Sequence, residues 1–244
     1  MSEGAVAGTH PPPAHPHVAL DASVLAGVAA FHLVDHLVVD PKWHLATHSA
    51  AASATLAAGR GLGLSPSDMG IRPATVPAGL KLGGAVAGLV AIGVVGAGVV
   101  PAGRGVFADA RVLRASGRRI AFWAAIEIPL GTAIYEEVLF RGVLLGLGDR
   151  RLGRPASMAL TSALFGLWHV LPALADREHN PYTKHRHPVA HVLPTVVGTA
   201  LAGLGFTELR RRSDSLVAPV LVHTATNAIP LLVAAAVARL PRRR

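Results

Sequence analysis

The sequence predicts an all-α protein, a polytopic transmembrane helical bundle of about six to eight membrane helices built around a polar intramembrane cavity. Three observations point to it. Of 244 residues, 51% are hydrophobic and 15% charged, against about a quarter charged in soluble domains. Six apolar runs (Val18–Val39, Leu80–Val100, Ile120–Leu147, Ala156–Leu174, Val189–Leu209 and Leu216–Leu240) each come near or exceed the ~20 residues that span hydrocarbon. Glycine recurs inside them (Gly83, Gly84, Gly88, Gly93, Gly96, Gly98), as transmembrane helices tolerate. The net charge of +9 comes from arginines between the runs, at 104–119, 150–154, 210–212 and 239–244. That is juxtamembrane charge facing anionic headgroups, without the interleaved aromatics of a base-stacking surface. The partner it implies is the lipid bilayer and not a nucleic acid. Cysteine is absent, which excludes disulfides, thiolate metal sites and a cysteine nucleophile.

Residues 1–17, with four prolines and three histidines, read as a disordered tail, and 18–240 as the membrane domain. Val18–Val39 is a weak span because it holds Asp21, His32, Asp35 and His36; Pro41 ends it. Leu45–Ala58, rich in Ala, Ser and Thr, suits an interfacial helix or a short crossing. Gly59–Pro77 reads as a loop. Leu80–Val100 is the cleanest span and ends at Pro101. Residues 102–119 carry five arginines, and Val106, Ala110, Leu113 and Gly117 recur at helical spacing, so part of this loop reads as an amphipathic helix. Ile120–Leu147 is long for one straight span, and Pro129 and Gly131 predict a break before Glu136. Ala156–Leu174 ends near Pro172, and 175–188 is polar enough to be a loop. Val189–Leu209 and Leu216–Leu240 complete the set. The pattern implies a multi-pass integral membrane protein, expected in the cell membrane, with the five-arginine loop and the basic C-terminus on its cytoplasmic side.

The charged groups inside these runs narrow the reading further. Each charge at bilayer depth costs at least ~2.5–3.5 kcal/mol, so it is paired, cavity-facing or functional. Glu137 and Arg141 stand at i,i+4 with the acid first, the better order for an ion pair. Glu136 is rotated about 100° away. The two glutamates therefore have different roles: Glu137 held ionised by Arg141, Glu136 free to face a cavity as a general base. His169 follows Phe165 by one turn, and Asn227 follows His223 by one turn. Glu with His can polarise water, and His with Asn can donate to a developing oxyanion. Together these are the parts for attack of water on an amide carbonyl. Trp168 and Tyr135 read as core aromatics, and Glu127 as a residue lining the cavity.

Glu136-Glu137-x-x-x-Arg141, then Phe165-x-x-x-His169, then His223-x-x-x-Asn227, in that order on successive apolar helices, resemble the CPBP family of CAAX proteases and bacteriocin-processing proteins. Leu139-Phe140-Arg141-Gly142 and the run Ser215–His223 resemble its motif surroundings as well. The resemblance covers residues 120–230. It implies an intramembrane catalytic cavity and an endopeptidase acting on a membrane-associated protein or peptide. By that analogy Glu136 with His169 activates water, His223 with Asn227 forms the oxyanion hole, and Glu137 and Arg141 orient the site. Glu136, His169 and His223 could also ligate Zn²⁺ with a fourth position open. The lack of HExxH and the fit of Asn227 to an oxyanion role favour a metal-free, glutamic-type site.

Two rival readings stay open. Thirteen histidines, among them the i,i+4 pairs His32/His36 and His44/His48, would suit a membrane metal transporter. A non-proteolytic scaffold or immunity protein of the same fold is the other.

Overall fold

In the computed structural model the described residues are 16–107, 109–179, 184–185 and 187–239. The expected tail, residues 1–17, lies outside them except for Pro16 and His17, which open a helix. No strand occurs among the described residues. The chain divides into two units, 1–39 and 40–244. The first contains helix α1 (Pro16–Leu37), the weak span, in which His36 Nδ1 meets the His32 carbonyl at 3.1 Å.

The second unit is the bundle. Its helices are α2 (His44–Gly61), α3 (Val76–Val99), α4 (Ala110–Arg114), α5 (Gly117–Phe122), α6 (Ile134–Glu137), α7 (Leu145–Arg151), α8 (Arg154–Trp168), α9 (Val170–His179), α10 (Pro188–Ser213) and α11 (Val217–Val237). Among the described residues four stretches are long and apolar enough to cross a membrane: Pro73–Val99, Arg154–Glu178, Pro188–Ser213 and Val217–Val237. With the site described below, they make this an integral membrane protein.

The run Ile120–Leu147 behaves differently. No break falls at Pro129 or Gly131. The backbone stays helical from Gly117 to Arg151 and widens instead: Trp123–Ala133 and Val138–Leu144 are π-helical, flanking the single α turn of α6. Pro129 has no N–H for an i→i−4 bond. The wider turn removes that demand, and Ile134 N–H bonds the Pro129 carbonyl. Both glutamates thus sit on the one tight turn between two wide ones.

The bundle closes through small residues. α3 lies along α11, and a Cβ on Gly83 would come within 2.7 Å of the Ala218 backbone. On α8, a Cβ on Gly166 would stand 2.6 Å from the Val196 carbonyl of α10. Such contacts let helices associate where lipid removes most of the hydrophobic driving force. The outer faces carry exposed Leu80, Leu89, Ile92 and Val99 on α3, and Leu193, Val197 and Leu201 on α10, as lipid-facing surfaces do.

Two expected loops are more ordered than their composition suggests. The stretch after α2 buries Leu64 and Met69 completely against Val143 and Leu147. Residues 175–179 continue α9 instead of starting a loop; Pro172 lies in the first turn of α9, where its missing N–H costs no helical bond.

Candidate active site

Four charged or titratable side chains meet inside the bundle. Glu137 is fully buried, Arg141 is 1% exposed, His223 2% and Glu136 6%. Arg141 Nη1 donates to Glu137 Oε1 at 3.0 Å, the ion pair expected from the i,i+4 spacing. The same Oε1 receives His223 Nδ1 at 2.8 Å. His223 Nε2 stands 3.7 Å from Glu136 Oε2. His223 is thus held between the two carboxylates. Glu137, paired with a guanidinium, accepts the Nδ1 proton, and this assigns the tautomer. The second oxygen of Glu136 accepts from Trp168 Nε1–H at 3.1 Å.

Aromatic rings enclose the cluster. The Arg141 guanidinium lies 4.0 Å from the Phe165 ring centroid, with Phe206 at 5.1 Å and Phe140 at 5.8 Å. Phe206 stacks on the His223 ring, centroids 5.2 Å apart. Cation–π contacts of this kind strengthen where water is excluded. Helix packing places these groups: Glu136 and Glu137 on α6, Arg141 one turn later, Phe165 and Trp168 on α8, Phe206 on α10 and His223 on α11.

The remaining expected residues lie around this core. His169 ends α8, with Nδ1 2.7 Å from the Phe165 carbonyl and its ring edge-on to Phe165 at 4.7 Å. His223 meets the same Phe165 ring at 5.8 Å. Both imidazoles therefore contact one side chain, but no direct bond joins His169 to Glu136 among the described residues. Asn227 is exposed, one turn beyond His223 on α11, and opens onto a cleft of about 510 Å³. That cleft is also lined by Glu127, Trp123, Thr132 and Pro230, with Arg111, Arg119, Asp109 and Asp176 at the charged end; Glu136, His169 and His223 do not line it. Arg111 joins Asp109 at 2.7 Å and Asp176 at 2.6 Å. Burial pushes the Asp109 carboxyl up, yet the Arg111 side chain and backbone N–H together hold it below its ordinary range.

Among the described residues no three His, Asp or Glu side chains are placed to hold one ion. His48, half of a suggested metal pair, instead hydrogen-bonds the Gly131 carbonyl through Nδ1, and its ring packs on His44 and Tyr135.

Sequence reasoning missed two contributors. Trp168, read as packing, donates to Glu136. Its position next to His169 was the available signal, but only the angle between α8 and α6 aims its indole. The second is the bond from Glu137 to His223, which links residues far apart in sequence.

A helical membrane protein with a buried carboxylate–imidazole–guanidinium cluster has the equipment of a membrane hydrolase. Residues 118–229, the segment that builds the whole cluster, match the family model of Rce1-like type II CAAX prenyl endopeptidases, a likeness that supports the CAAX-protease (CPBP) resemblance. No curated protein and no solved structure matches the chain.

Proposed function

We propose that the protein is an intramembrane endopeptidase that hydrolyses a peptide bond of a membrane-associated protein or peptide, in or near the bilayer, with a glutamate-activated water and no metal. The observation that carries this reading is His223 held between Glu137 and Glu136. Counted formally, two carboxylates and one guanidinium leave one negative charge in a buried site. A single proton, on Glu136 or on His223 Nε2, neutralises it. The cluster is therefore suited to take up and return one proton, as amide hydrolysis requires.

In that reaction Glu136 removes a proton from water while the water oxygen bonds to the carbonyl carbon. His169, its Nδ1 engaged by the Phe165 carbonyl, offers Nε2 to the same water. The oxyanion accepts from His223 Nε2–H when that nitrogen carries the shared proton, while Asn227 opens onto the adjoining cleft. As the C–N bond breaks, Glu136 returns the proton to the leaving amine. Glu137 and Arg141 touch no reacting atom. They hold the tautomer and orientation of His223.

Comparative membrane peptidomics of wild type against Glu136→Gln tests the reading and identifies the substrate. Peptide termini that vanish in the variant support it. An unchanged peptidome from a folded, membrane-inserted variant overturns it. Cleavage abolished by a zinc chelator and restored by Zn²⁺ overturns the metal-free part alone.

A further inference from the structure

Most serine and threonine hydroxyls in the described helices bond their own backbone one turn back. Thr47, Ser49, Ser53, Ser157, Thr161, Thr195, Thr199, Ser213 and Thr226 all do so. That is the default for a hydroxyl on a helix in apolar surroundings. Ser162 on α8 and Thr207 on α10 depart from it. Both are buried, at 2% and 0% exposure, and neither hydroxyl has a hydrogen-bond partner in the protein. A buried hydroxyl left without any partner destabilises the fold.

Ser162 and Arg141 meet at Gly203 of α10, and Thr207 stands on the Gly203 face of that helix. A Cβ on Gly203 would meet Arg141 Nη2 at 3.1 Å and Ser162 Cβ also at 3.1 Å, and Thr207 is one turn further along the same helix as Gly203. Phe165 and Phe206, which enclose the guanidinium, are neighbours of Ser162 and Thr207 on their helices. Arg141 itself has Nε and Nη2 unbonded, and Glu137 Oε2 is unbonded too. Five buried polar atoms without protein partners, on three helical segments around one guanidinium, form a set of donors and acceptors that water satisfies. Hydroxyls suit this because each can donate to one neighbour and accept from another. An anion suits it less well, with two carboxylates adjacent.

We infer that Ser162 and Thr207 are positioning residues that hold the Arg141 guanidinium through shared bound water, and so fix the Glu137 carboxylate that orients His223. Its consequence for cleavage rests on the function proposed above; the bound water does not.

The test is a double-variant cycle of Ser162→Ala and Thr207→Val, read first as thermal unfolding in detergent. If the hydroxyls share bound water, each variant lowers the Tm by about 2–4 °C. The double variant then loses less than the sum, because both act on one network, and Thr207→Ser restores the wild-type Tm. Hydroxyls without partners give the opposite: each variant leaves the Tm unchanged or raises it, and this overturns the inference. Strict additivity overturns the shared network. The second reading is the pH profile of cleavage, which a packing defect would not move: Thr207→Val shifts its limb while Thr207→Ser does not. An unshifted profile in an active enzyme overturns the positioning role. If wild type cleaves nothing, the proposed function fails, and the stability cycle still decides the bound water.

Discussion

Two of the ionic clusters in the bundle unit use charge in opposite ways. At one end of the bundle Arg210 donates to the carbonyls of Ser67 and Asp68 and pairs with Asp214, while Arg150 donates to the Gly63 carbonyl and to Asp68. Leu216 N–H bonds the Gly70 carbonyl at 2.8 Å beside them. Here guanidinium groups close backbone carbonyls and tie the α2–α3 connection to α7, α10 and the start of α11. Arg150 and Asp68 remain partly exposed. In the interior, Glu136, Glu137, Arg141 and His223 bond almost only to one another, and Glu136 Oε2, Glu137 Oε2 and two Arg141 nitrogens make no hydrogen bond among the described residues. The end cluster is a clasp, with its hydrogen bonds, save that of Arg210 Nε, committed to structure. The interior cluster keeps polar atoms uncommitted at a desolvation cost, and folds bear that cost where chemistry needs it.

The sharpest way to separate the two is to remove function without removing structure. Glu136→Gln keeps an acceptor for Trp168 Nε1–H and deletes the carboxylate base. Cleavage is expected to fall to background while the Tm changes by only a few degrees. A Tm collapse would make Glu136 a structural residue, and retained cleavage would remove it from the chemistry. Arg141→Met is next in size. It leaves Glu137 as a buried charge without its guanidinium, which costs about 3–5 kcal/mol. Equilibrium unfolding in detergent measures it, and a loss below about 1 kcal/mol would show that the pair contributes little to the fold.

The clasp predicts a smaller loss, confined to structure. Gly70 has φ +70°, and a Cβ there would fall 2.1 Å from Arg210 Nε. Gly70→Ala therefore strains the backbone and displaces the guanidinium at once, for about 1–3 kcal/mol. Unfolding measurements check the size. A pH profile of cleavage that stays at wild type, with a lowered Tm, keeps the clasp structural. A shifted profile would mean that the clasp sets the register of α11, and with it His223.

What was legible in the sequence follows the same division. The Glu137–Arg141 pair could be read from spacing alone because both ends lie on one helix, and the helical class could be read from the apolar runs. The π-helical segments could not, because Pro129 permits either a break or a widened turn and only packing against α2 and α11 selects one. The contact of His223 with both carboxylates depends on how α11 crosses α6, which no local pattern encodes. The stretch 62–71 looked like an ordinary loop from its Gly, Pro and Ser. Its order comes from Leu64 and Met69 entering the core and from two distant arginines. Asn227, expected beside His223, does share its helix face by spacing, yet it opens onto the cleft while the imidazole is enclosed by Phe165 and Phe206.

The smallest expected effect is the clasp's share of the pH dependence of stability. The Ser65 hydroxyl, donating to Asp68, holds its carboxyl below the ordinary carboxylate range; burial opposes this, and the Ser65 backbone N–H and Arg150 add to it. A carboxyl depressed in the folded state stabilises the fold above its unfolded value, about 3.9. That contribution disappears as pH falls through the lower folded value. Wild type should therefore lose Tm below about pH 4, and Asp68→Asn should lose less over the same interval while being less stable at neutral pH. The comparison must be made as a difference between the two proteins, since other carboxylates titrate in the same window. Identical acid slopes would mean that Asp68 is not coupled to folding, and that Arg210 on the Ser67 and Asp68 carbonyls holds the clasp without it.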